Sequence, residues 1–435
     1  MSDNKPTTIS QKLLFSVRLF FKKYPSVPYI IKWSFISLVV GACIGSASAG
    51  FLISLDWATH FREDHLWLIA LLPVAGLLIG LLYHYFGKEV ETGNNLLIDT
   101  IHRPEKVIPF RMAPLVYIGT IATHFFGGSA GREGTALQMA GAIADQFSKP
   151  LRLSPSDRTI LIIAAIAGGF GSVFGTPLAG AIFGLEFFLI GRIRYSAIFP
   201  AFITAIIADI VTKYWQARHT VYHIEYIPKT SLLNIIYAII AGLIFGLCAA
   251  TFSKVIHKAS GIFKNRVSYP PLRPFIGGII IALAVWAIGT TKYIGLGIPT
   301  IVNAFQEQLP VYDFILKMLF TIITLSAGFK GGEVTPLFFI GATLGSALSY
   351  FIPLPTALLT GMGFVAVFAG ATNTPIACSI MAIELFGTEC GVFISVACVV
   401  SYLMSGHNSI YGKQMIGEPK NQLFSDHKGK RINEL

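Results

Sequence analysis

Apolar stretches follow one another from Trp33 to Met404, and no long polar linker separates them. Of the 435 residues, 54% are hydrophobic and only 13% are charged, whereas a soluble domain carries roughly a quarter charged residues. The mean hydropathy is +0.66. A chain of this composition is solvated mainly by lipid, so we predict one polytopic, all-α membrane domain embedded in a lipid bilayer.

The formal net charge of +11 arises from lysines and arginines that lie mainly at the two ends of the chain and in short loops. They form no face with interleaved aromatic residues, so we expect no nucleic-acid partner. Basic residues beside membrane segments instead indicate cytoplasmic positions. We expect a multi-pass protein of the cell inner (plasma) membrane with both termini cytoplasmic. The expected divisions are a cytoplasmic segment 1–32, a membrane domain 33–412 and a cytoplasmic tail 413–435.

The apolar stretches differ in length, and only some reach the roughly 20 residues that cross a bilayer as one helix. The long ones are 33–55, 67–86, 196–214, 231–257, and 314–327 with its flanks. Shorter ones, interrupted by glycine or proline, are 135–147, 159–170, 176–190, 336–350, 355–368 and 375–386. We predict that the short stretches are broken or re-entrant helices. Membranes tolerate these only where the exposed backbone is buried in protein or lines a cavity.

Two pairs of short segments reveal an internal repeat. Segment 175–186 matches segment 373–384, since both contain Thr-Pro-x-Ala and end in glutamate, at an offset of 198 residues. Segment 133–142 matches segment 333–342 at an offset of 200 residues, and the order of elements is kept. Two matches at nearly the same offset indicate a duplicated unit.

Repeats of this kind are typical of transporters whose halves are related by pseudo-symmetry, with the substrate near the midplane. We expect two pseudo-symmetric repeats, at about 33–215 and 231–412. The sequence leaves open whether they are parallel or inverted. Glu186 and Glu384 end matching helices, which suggests interfacial helix ends more than chemical roles.

A glycine-rich loop precedes Glu133. It reads Gly-Gly-Ser-Ala-Gly-Arg-Glu-Gly-Thr at 127–135, and an apolar helix follows. Free backbone N–H groups at a helix N-terminus attract anions, and a carboxylate placed there would occupy the position of a small anion. Once protonated it would lose this attraction and move away, so Glu133 is a candidate gate that links proton uptake to anion access. An ordinary capping carboxylate is the alternative.

The matching loop of the second half reads Gly-Phe-Lys-Gly-Gly-Glu-Val-Thr-Pro at 328–336. Pro336 suits the first turn of a helix and leaves the preceding amides unpaired, so we expect a second N-terminus that faces an anion. Glu333 is unusual there, because an ionised carboxylate would repel an anion. We hypothesise that Glu333 is protonated or shuttles protons. The alternative is an ion pair with Lys330 in a water-exposed loop.

Together these motifs resemble the CLC family of anion channels and transporters. The motifs that carry this resemblance are the Gly-Arg-Glu-Gly loop at 131–134, Gly-x-x-x-Pro at 332–336, the Thr-Pro-x-Ala repeats and the late Tyr411. The resemblance runs from about residue 33 to 412. It implies a CLC-type fold and a homodimer with a separate anion pathway in each subunit.

The same resemblance implies roles for individual residues. Glu133 would be the external gate and proton acceptor, and Glu333 a second group in proton coupling. Backbone amides of 132–135 and 333–335 would surround the anion, and Tyr411 would contribute its hydroxyl. The anion-binding residues on this basis are Asn94, Arg132, Gly134, Thr135, Val334, Thr335 and Tyr411.

The chain departs from the chloride-type pattern of the family in two places. Chloride-type members usually have Gly-Ser-Gly-Ile-Pro where this chain reads Gly-Asn-Asn-Leu-Leu at 93–97, so the serine hydroxyl that contacts chloride is missing. Phe187 follows Glu186 where chloride/proton antiporters usually place an inner proton-relay glutamate. With Glu-Val-Thr-Pro at 333–336 and Thr135 in place of the usual proline, these departures resemble the fluoride/proton antiporter branch.

Fluoride is small and strongly hydrated, so its site must supply close, strong donors. The Asn94 amide and the hydroxyls of Thr335 and Tyr411 are suitable, although each also suits helix capping or interhelical hydrogen bonding. The predicted function is secondary active transport that exports fluoride in exchange for protons. The alternative is a chloride/proton antiporter or a voltage-gated-type chloride channel of the same family.

A membrane-embedded hydrolase is the rival from another class. We do not expect an enzyme, because Ser129 has no evident histidine base nearby in sequence. The cysteines lie singly and the histidines are scattered. We therefore predict neither a metal site nor a cofactor.

Overall fold

The computed structural model describes residues 23, 24 and 26–435, and α-helices dominate them. The helices of the first half are α1 (Ser26–Asp64), α2 (Leu72–Phe86), α3 (Asn94–His102), α4 (Met112–Phe125), α5 (Glu133–Asp145), α6 (Pro155–Phe174), α7 (Pro177–Glu186) and α8 (Ile198–Tyr214). Those of the second half are α9 (Leu232–Arg266), α10 (Leu272–Ile288), α11 (Ile298–Gln306), α12 (Asp313–Ser326), α13 (Val334–Leu348), α14 (Thr356–Thr372), α15 (Pro375–Phe386) and α16 (Gly391–Met404). The halves match helix for helix, in agreement with the predicted repeat.

Helix lengths agree with the prediction of long and broken elements, with exceptions. The stretches long and apolar enough to cross a membrane are Ser26–Asp64, Leu66–Phe86, Pro155–Phe174, Tyr195–Tyr214 and Leu232–Arg266. The predicted long span at 314–327 is wrong, because α12 has only 14 residues and stops before the turn at Gly328, where φ is +105°. The stretch at 159–170 is longer than predicted, because Ser154 caps α6 through the amide of Asp157. Helices α3, α4, α10, α11 and α16 were not predicted.

Helices α7 and α15 show how the halves are related. Glu186, at the end of α7, accepts hydrogen bonds from the amides of Ile376 (3.2 Å) and Ala377 (2.9 Å) at the start of α15. Glu384, near the end of α15, accepts from the amides of Leu178 (3.0 Å) and Ala179 (2.7 Å) at the start of α7. Each helix therefore ends where the other begins, so the repeats are inverted.

The reason for this exchange lies in the two Thr-Pro starts. Pro177 and Pro375 occupy the first helical positions, and the amides that follow them have no intrahelical acceptor. A carboxylate satisfies two such donors at once and interacts favourably with the helix dipole. Glu186 is accordingly buried, with 7% of its surface exposed. The sequence suggested that these glutamates mark helix ends at the membrane interface. In the structure each one caps the helix of the opposite half.

The chain after α16 packs against the first half. Strand β1 (Leu189–Ile190) pairs in parallel with β2 (Met415–Ile416). The Gln414 side-chain amide donates to the carbonyls of Phe187 (2.9 Å) and Thr372 (2.8 Å). These contacts fix the backbone on both sides of the short segment that carries Tyr411.

Replacing Glu384 by alanine leaves the amides of Leu178 and Ala179 unpaired. We expect a loss of about 0.5–2 kcal/mol of stability, as for other helix caps, and a lower midpoint of thermal unfolding in detergent. Glu186→Ala should have the same effect from the other half. Glu389→Ala is the matched control, because this exposed glutamate forms no hydrogen bond or ion pair within the described residues. Equal midpoints for all four proteins would contradict the capping role.

Candidate functional site

The two glycine-rich loops meet at the centre of the fold. The Gly131 amide donates to the Gly332 carbonyl (2.6 Å), and the Gly332 amide donates to the Gly131 carbonyl (2.8 Å). A Cβ atom on Gly332 would lie 2.6 Å from the Gly134 nitrogen, so glycine is required for this approach. The N-termini of α5 and α13 are thereby brought side by side.

The Glu133 carboxylate crosses from the first half to the second. It is fully buried and accepts hydrogen bonds from the Thr335 amide (3.0 Å) and the Arg132 amide (3.2 Å). The Thr335 hydroxyl lies 2.6 Å and 2.7 Å from its two oxygens. The Arg132 Nε atom is 3.5 Å from Oε1. The Glu133 carboxylate thus accepts from backbone amides at both helix N-termini, as a bound anion would.

Asn94 and Tyr411 approach the same point with unused polar atoms. Asn94 begins α3 and is buried, and its side-chain oxygen has no hydrogen-bond partner among the described residues. A Cβ atom on Gly134 would lie 3.1 Å from the Asn94 Nδ2 atom. The Tyr411 hydroxyl is also buried without a partner, and its ring packs edge-on against Phe187 at 4.8 Å. Buried polar groups are rarely left unsatisfied, so both mark a place for a ligand or water.

The remaining predicted anion-binding residues divide into two groups. Val334 begins α13 and Gly134 lies in the first turn of α5, and the structure gives neither amide an acceptor within the described residues. Thr135 differs, because its hydroxyl pairs with Thr120 Oγ1 at 2.6 Å on the other side of α5. The Thr135 hydroxyl can donate to an anion only where Thr120 is the donor of this pair. The sequence offered no sign of Thr120, one of several polar residues within a largely apolar helix.

Two cavities approach the Glu133 region from different ends. The Arg132 cavity has a volume of about 780 Å³ and is lined by Arg62, Glu63, Arg132, Arg218, His219 and Lys292, among others. The Glu333 cavity has a volume of about 610 Å³, and its lining includes Asn94, Lys264, Arg273, Lys330, Glu333 and Tyr411. Basic side chains predominate in both, which favours anions over cations.

A space of about 10 Å³ adjoins Glu133 and Thr335, and its walls include Phe174, Phe338 and Phe364. It is close to the smallest volume that holds one water molecule. The rings of Phe338 and Phe364 stack at 4.1 Å, so the wall is apolar and closely packed. Sequence reasoning missed these phenylalanines, because nothing distinguishes them from other apolar core residues.

Glu333 precedes α13 and borders the Glu333 cavity. Within the described residues it has no ion pair, and no other residue donates a hydrogen bond to it. The Lys330 ammonium lies instead over the ring of Tyr83, 3.8 Å from its centroid. The alternative pairing of Glu333 with Lys330 is therefore not formed.

Ser129 is the centre of a Gly-x-Ser-x-Gly sequence at 127–131, the spacing of a hydrolase nucleophile. Its hydroxyl pairs with Thr321 Oγ1 at 3.0 Å, and its amide donates to Thr324 Oγ1 at 3.1 Å. Among the described residues, no histidine contacts this hydroxyl. Ser129 thus joins α12 to the glycine loop through these two hydrogen bonds.

Comparison of the sequence with protein families gives one match, to the family described as voltage gated chloride channel, over residues 75–406. A chloride/fluoride channel protein of Pseudomonas syringae pv. tomato is 52% identical over 400 residues, which cover 91% of this chain and 88% of that protein. An H(+)/Cl(−) exchange transporter of Vibrio vulnificus is 26% identical, with 84% of each chain covered.

Solved structures show the same relationship. The crystal structure of a CLC-type fluoride/proton antiporter superposes with a TM-score of 0.86 at 34% identity, covering 88% of this chain and 98% of that one. A slow cyanobacterial Cl⁻/H⁺ antiporter superposes with a TM-score of 0.74 at 20% identity, covering 86% and 94%, and shares the fold. The family match covers most of the chain, so the predicted CLC-type fold is confirmed and this multi-pass membrane protein belongs to the CLC family of chloride channels and related transporters.

Proposed function

We propose that the protein is a secondary active transporter that exports fluoride from the cytoplasm in exchange for protons. The observation that carries the proposal is the Glu133 carboxylate, which occupies the joined N-termini of α5 and α13 and binds Thr335 through both oxygens. The names of the relatives support the choice of ion. One 52% identical relative is called a chloride/fluoride channel protein, and a 34% identical structure is that of a fluoride/proton antiporter.

The proposed exchange follows from competition for the same donors. Ionised Glu133 is held by the amides of Arg132 and Thr335 and by the Thr335 hydroxyl. Protonation removes its charge, and the amides then favour an anion over a neutral carboxylic acid. Fluoride enters as the side chain leaves, so a bound proton and a bound fluoride are linked.

We assign the fluoride position to the space bordered by the amides of Gly134 and Val334, the Asn94 side chain and the Tyr411 hydroxyl. The unpaired hydroxyl of Tyr411 supports this assignment. At Asn94 the donor to an anion is the Nδ2 group beside Gly134, because the unpaired oxygen can only accept a hydrogen bond. Fluoride is a strong acceptor that needs short, direct donors to replace its water. The side chain of Arg132 and the backbone of Thr135 complete the surroundings on the Glu133 side.

The proposed orientation of the chain indicates which cavity faces which side of the membrane. With both termini cytoplasmic, α1 carries the chain outward, and its C-terminal residues border the Arg132 cavity. This cavity then opens to the outside and the Glu333 cavity to the cytoplasm. We propose location in the inner (plasma) membrane as a homodimer, with fluoride leaving from the Glu333 cavity to the Arg132 cavity.

We propose that Glu333 couples proton movement to the cytoplasmic end of the pathway. Its carboxyl group lacks an ion pair and borders the same cavity as Tyr411. A carboxyl group placed at membrane depth without a counter-charge is costly when ionised, so it readily takes up a proton. Phe187 stands where a relay glutamate is usual in chloride/proton antiporters, so Glu333 is the acidic residue left for this role.

Fluoride efflux from proteoliposomes, recorded together with external pH, tests the function. We expect fluoride to leave with matched proton uptake and with little chloride movement under the same gradient. The name of the 52% identical relative covers both anions, so chloride is measured in parallel. A flux dominated by chloride would identify a chloride/proton antiporter or a chloride channel instead.

Glu133→Gln keeps the shape of the gate and removes its titratable charge. We expect proton movement to disappear and fluoride flux to be lost or uncoupled from pH, because glutamine cannot alternate between charged and neutral forms. Glu225→Gln is the control, since this exposed glutamate forms no ion pair within the described chain. Retained proton coupling in Glu133→Gln would refute the gate assignment.

Glu333→Ala removes the second carboxyl group. We expect proton movement with fluoride to be largely lost, because Glu333 is the carboxyl group of this cavity that lies beside the start of α13. The control is Glu91→Ala, which removes an exposed carboxylate from the rim of the same cavity. Wild-type coupling in Glu333→Ala would show that protons take another route.

A further inference from the structure

Lys330 is half-buried and differs from the buried cations of the fold. The Lys317 ammonium donates to the carbonyls of Tyr293 (3.2 Å) and Gly295 (2.7 Å), and Arg158 pairs with Asp145 at 2.7 Å. For Lys330, the described part of the chain provides no hydrogen-bond acceptor and no carboxylate within ion-pair distance. Its contact is the ring of Tyr83, 3.8 Å from Nζ. A ring face attracts the positive charge and leaves N–H donors unused.

The aliphatic part of Lys330 is held in a narrow slot. A Cβ atom on Gly119 of α4 would lie 2.9 Å from both Cβ and Cγ of Lys330 and 3.6 Å from a ring carbon of Tyr83. The lysine therefore passes between α4 and the Tyr83 ring, and Gly119 provides the room. Packing of this kind fixes the ammonium in place at little further entropic cost.

The ammonium borders the Glu333 cavity together with Asn94, Glu333 and Tyr411. It is therefore on the route by which an anion reaches the proposed fluoride position from the cytoplasm. Unlike exposed lysines at a cavity rim, it is packed among other residues and weakly screened. A compact ammonium suits a small, hard anion better than a guanidinium does, because its charge is concentrated on one atom.

We propose that Lys330 is the first anion-binding group of the cytoplasmic entrance: its free N–H donors capture a small, hard monovalent anion in the Glu333 cavity and pass it to Asn94 and Tyr411. The inference rests on the proposed transport function and names a second binding position for the same ion. It also explains how an anion passes Glu333. The unpaired ammonium attracts the anion and so offsets repulsion by the Glu333 carboxylate. A salt bridge between the two groups would leave no positive charge for the anion.

The test is a comparison of Lys330→Gln and Lys330→Arg in proteoliposomes at several internal fluoride concentrations. For Lys330→Gln we expect the KM for internal fluoride to rise roughly five- to tenfold, the effect of one partly desolvated charge contact. The maximal rate and the number of protons per fluoride should change little. Lys330→Arg keeps the charge and should recover most of the affinity.

Titration of the purified protein with sodium fluoride provides a readout without transport. Lys330→Gln should weaken binding by a similar factor, and the difference should largely persist at high ionic strength, because the ammonium is weakly screened. Lys258→Gln is the matched control, because it removes a charge from an exposed lysine of α9 that does not line the Glu333 cavity. Its KM and fluoride binding should equal those of the wild type.

The outcomes separate this inference from the proposed function. Fluoride/proton exchange with an unchanged KM in Lys330→Gln would overturn the role of Lys330 and leave the transport function standing. If the wild type moves chloride instead, the function fails, and the same KM comparison made with chloride decides whether Lys330 captures anions. A lower unfolding temperature in both Lys330 variants with unchanged anion binding would mean that the residue is structural only.

Discussion

Backbone hydrogen bonds between Gly131 and Gly332 hold two helix N-termini together at the middle of this fold. Neither loop could approach the other with a side chain at Gly332, whose Cβ would lie 2.6 Å from a backbone nitrogen. Each helix start leaves N–H groups without intrahelical acceptors. Two such starts side by side create a concentration of positive partial charge in a region where lipid excludes bulk water. The position of Glu133 and the selectivity for anions both depend on this pairing.

The same interaction recurs in three places with different consequences. Glu133 binds the N-terminal turn of α13, Glu186 that of α15 and Glu384 that of α7, and in each case the carboxylate and the helix belong to opposite halves. For Glu186 and Glu384, inverted repeats make this possible, because they place the end of one helix at the start of its counterpart. Glu133 instead stands at the start of α5, beside the start of α13. Glu186 and Glu384 act as caps between packed helices. Glu133 differs in that the Thr335 hydroxyl as well as an amide binds it, and a space of about 10 Å³ adjoins it.

Much of this arrangement could be predicted from the sequence, because it is encoded in local patterns. The repeat offsets and the short apolar stretches indicated a helical membrane protein of two repeats, and the glycine loop singled out Glu133. The resemblance to the CLC family added the fold type, Thr335 and Tyr411. What the sequence could not give is the relation between distant segments. The inversion of the halves, the capping by Glu186 and the pairing of Thr135 with Thr120 depend on contacts across the fold. The predicted span at 314–327 was too long because a hydropathy pattern does not reveal the turn at Gly328 that follows α12.

The distribution of unpaired charge distinguishes the two ends of the pathway. Near the Arg132 cavity, the charge of Glu133 has a close cation, since Arg132 Nε lies 3.5 Å away. At the Glu333 cavity, Glu333 and Lys330 lie three residues apart in the chain and remain separate, with the ammonium held by an aromatic ring. Aromatic contact keeps a cation in place without neutralising it, whereas a salt bridge would satisfy both groups and leave neither for a passing ion. For the proposed entrance, which would attract an anion and also exchange a proton, both groups must stay unpaired. The contact of Lys330 with Tyr83 and Gly119 holds it apart from Glu333.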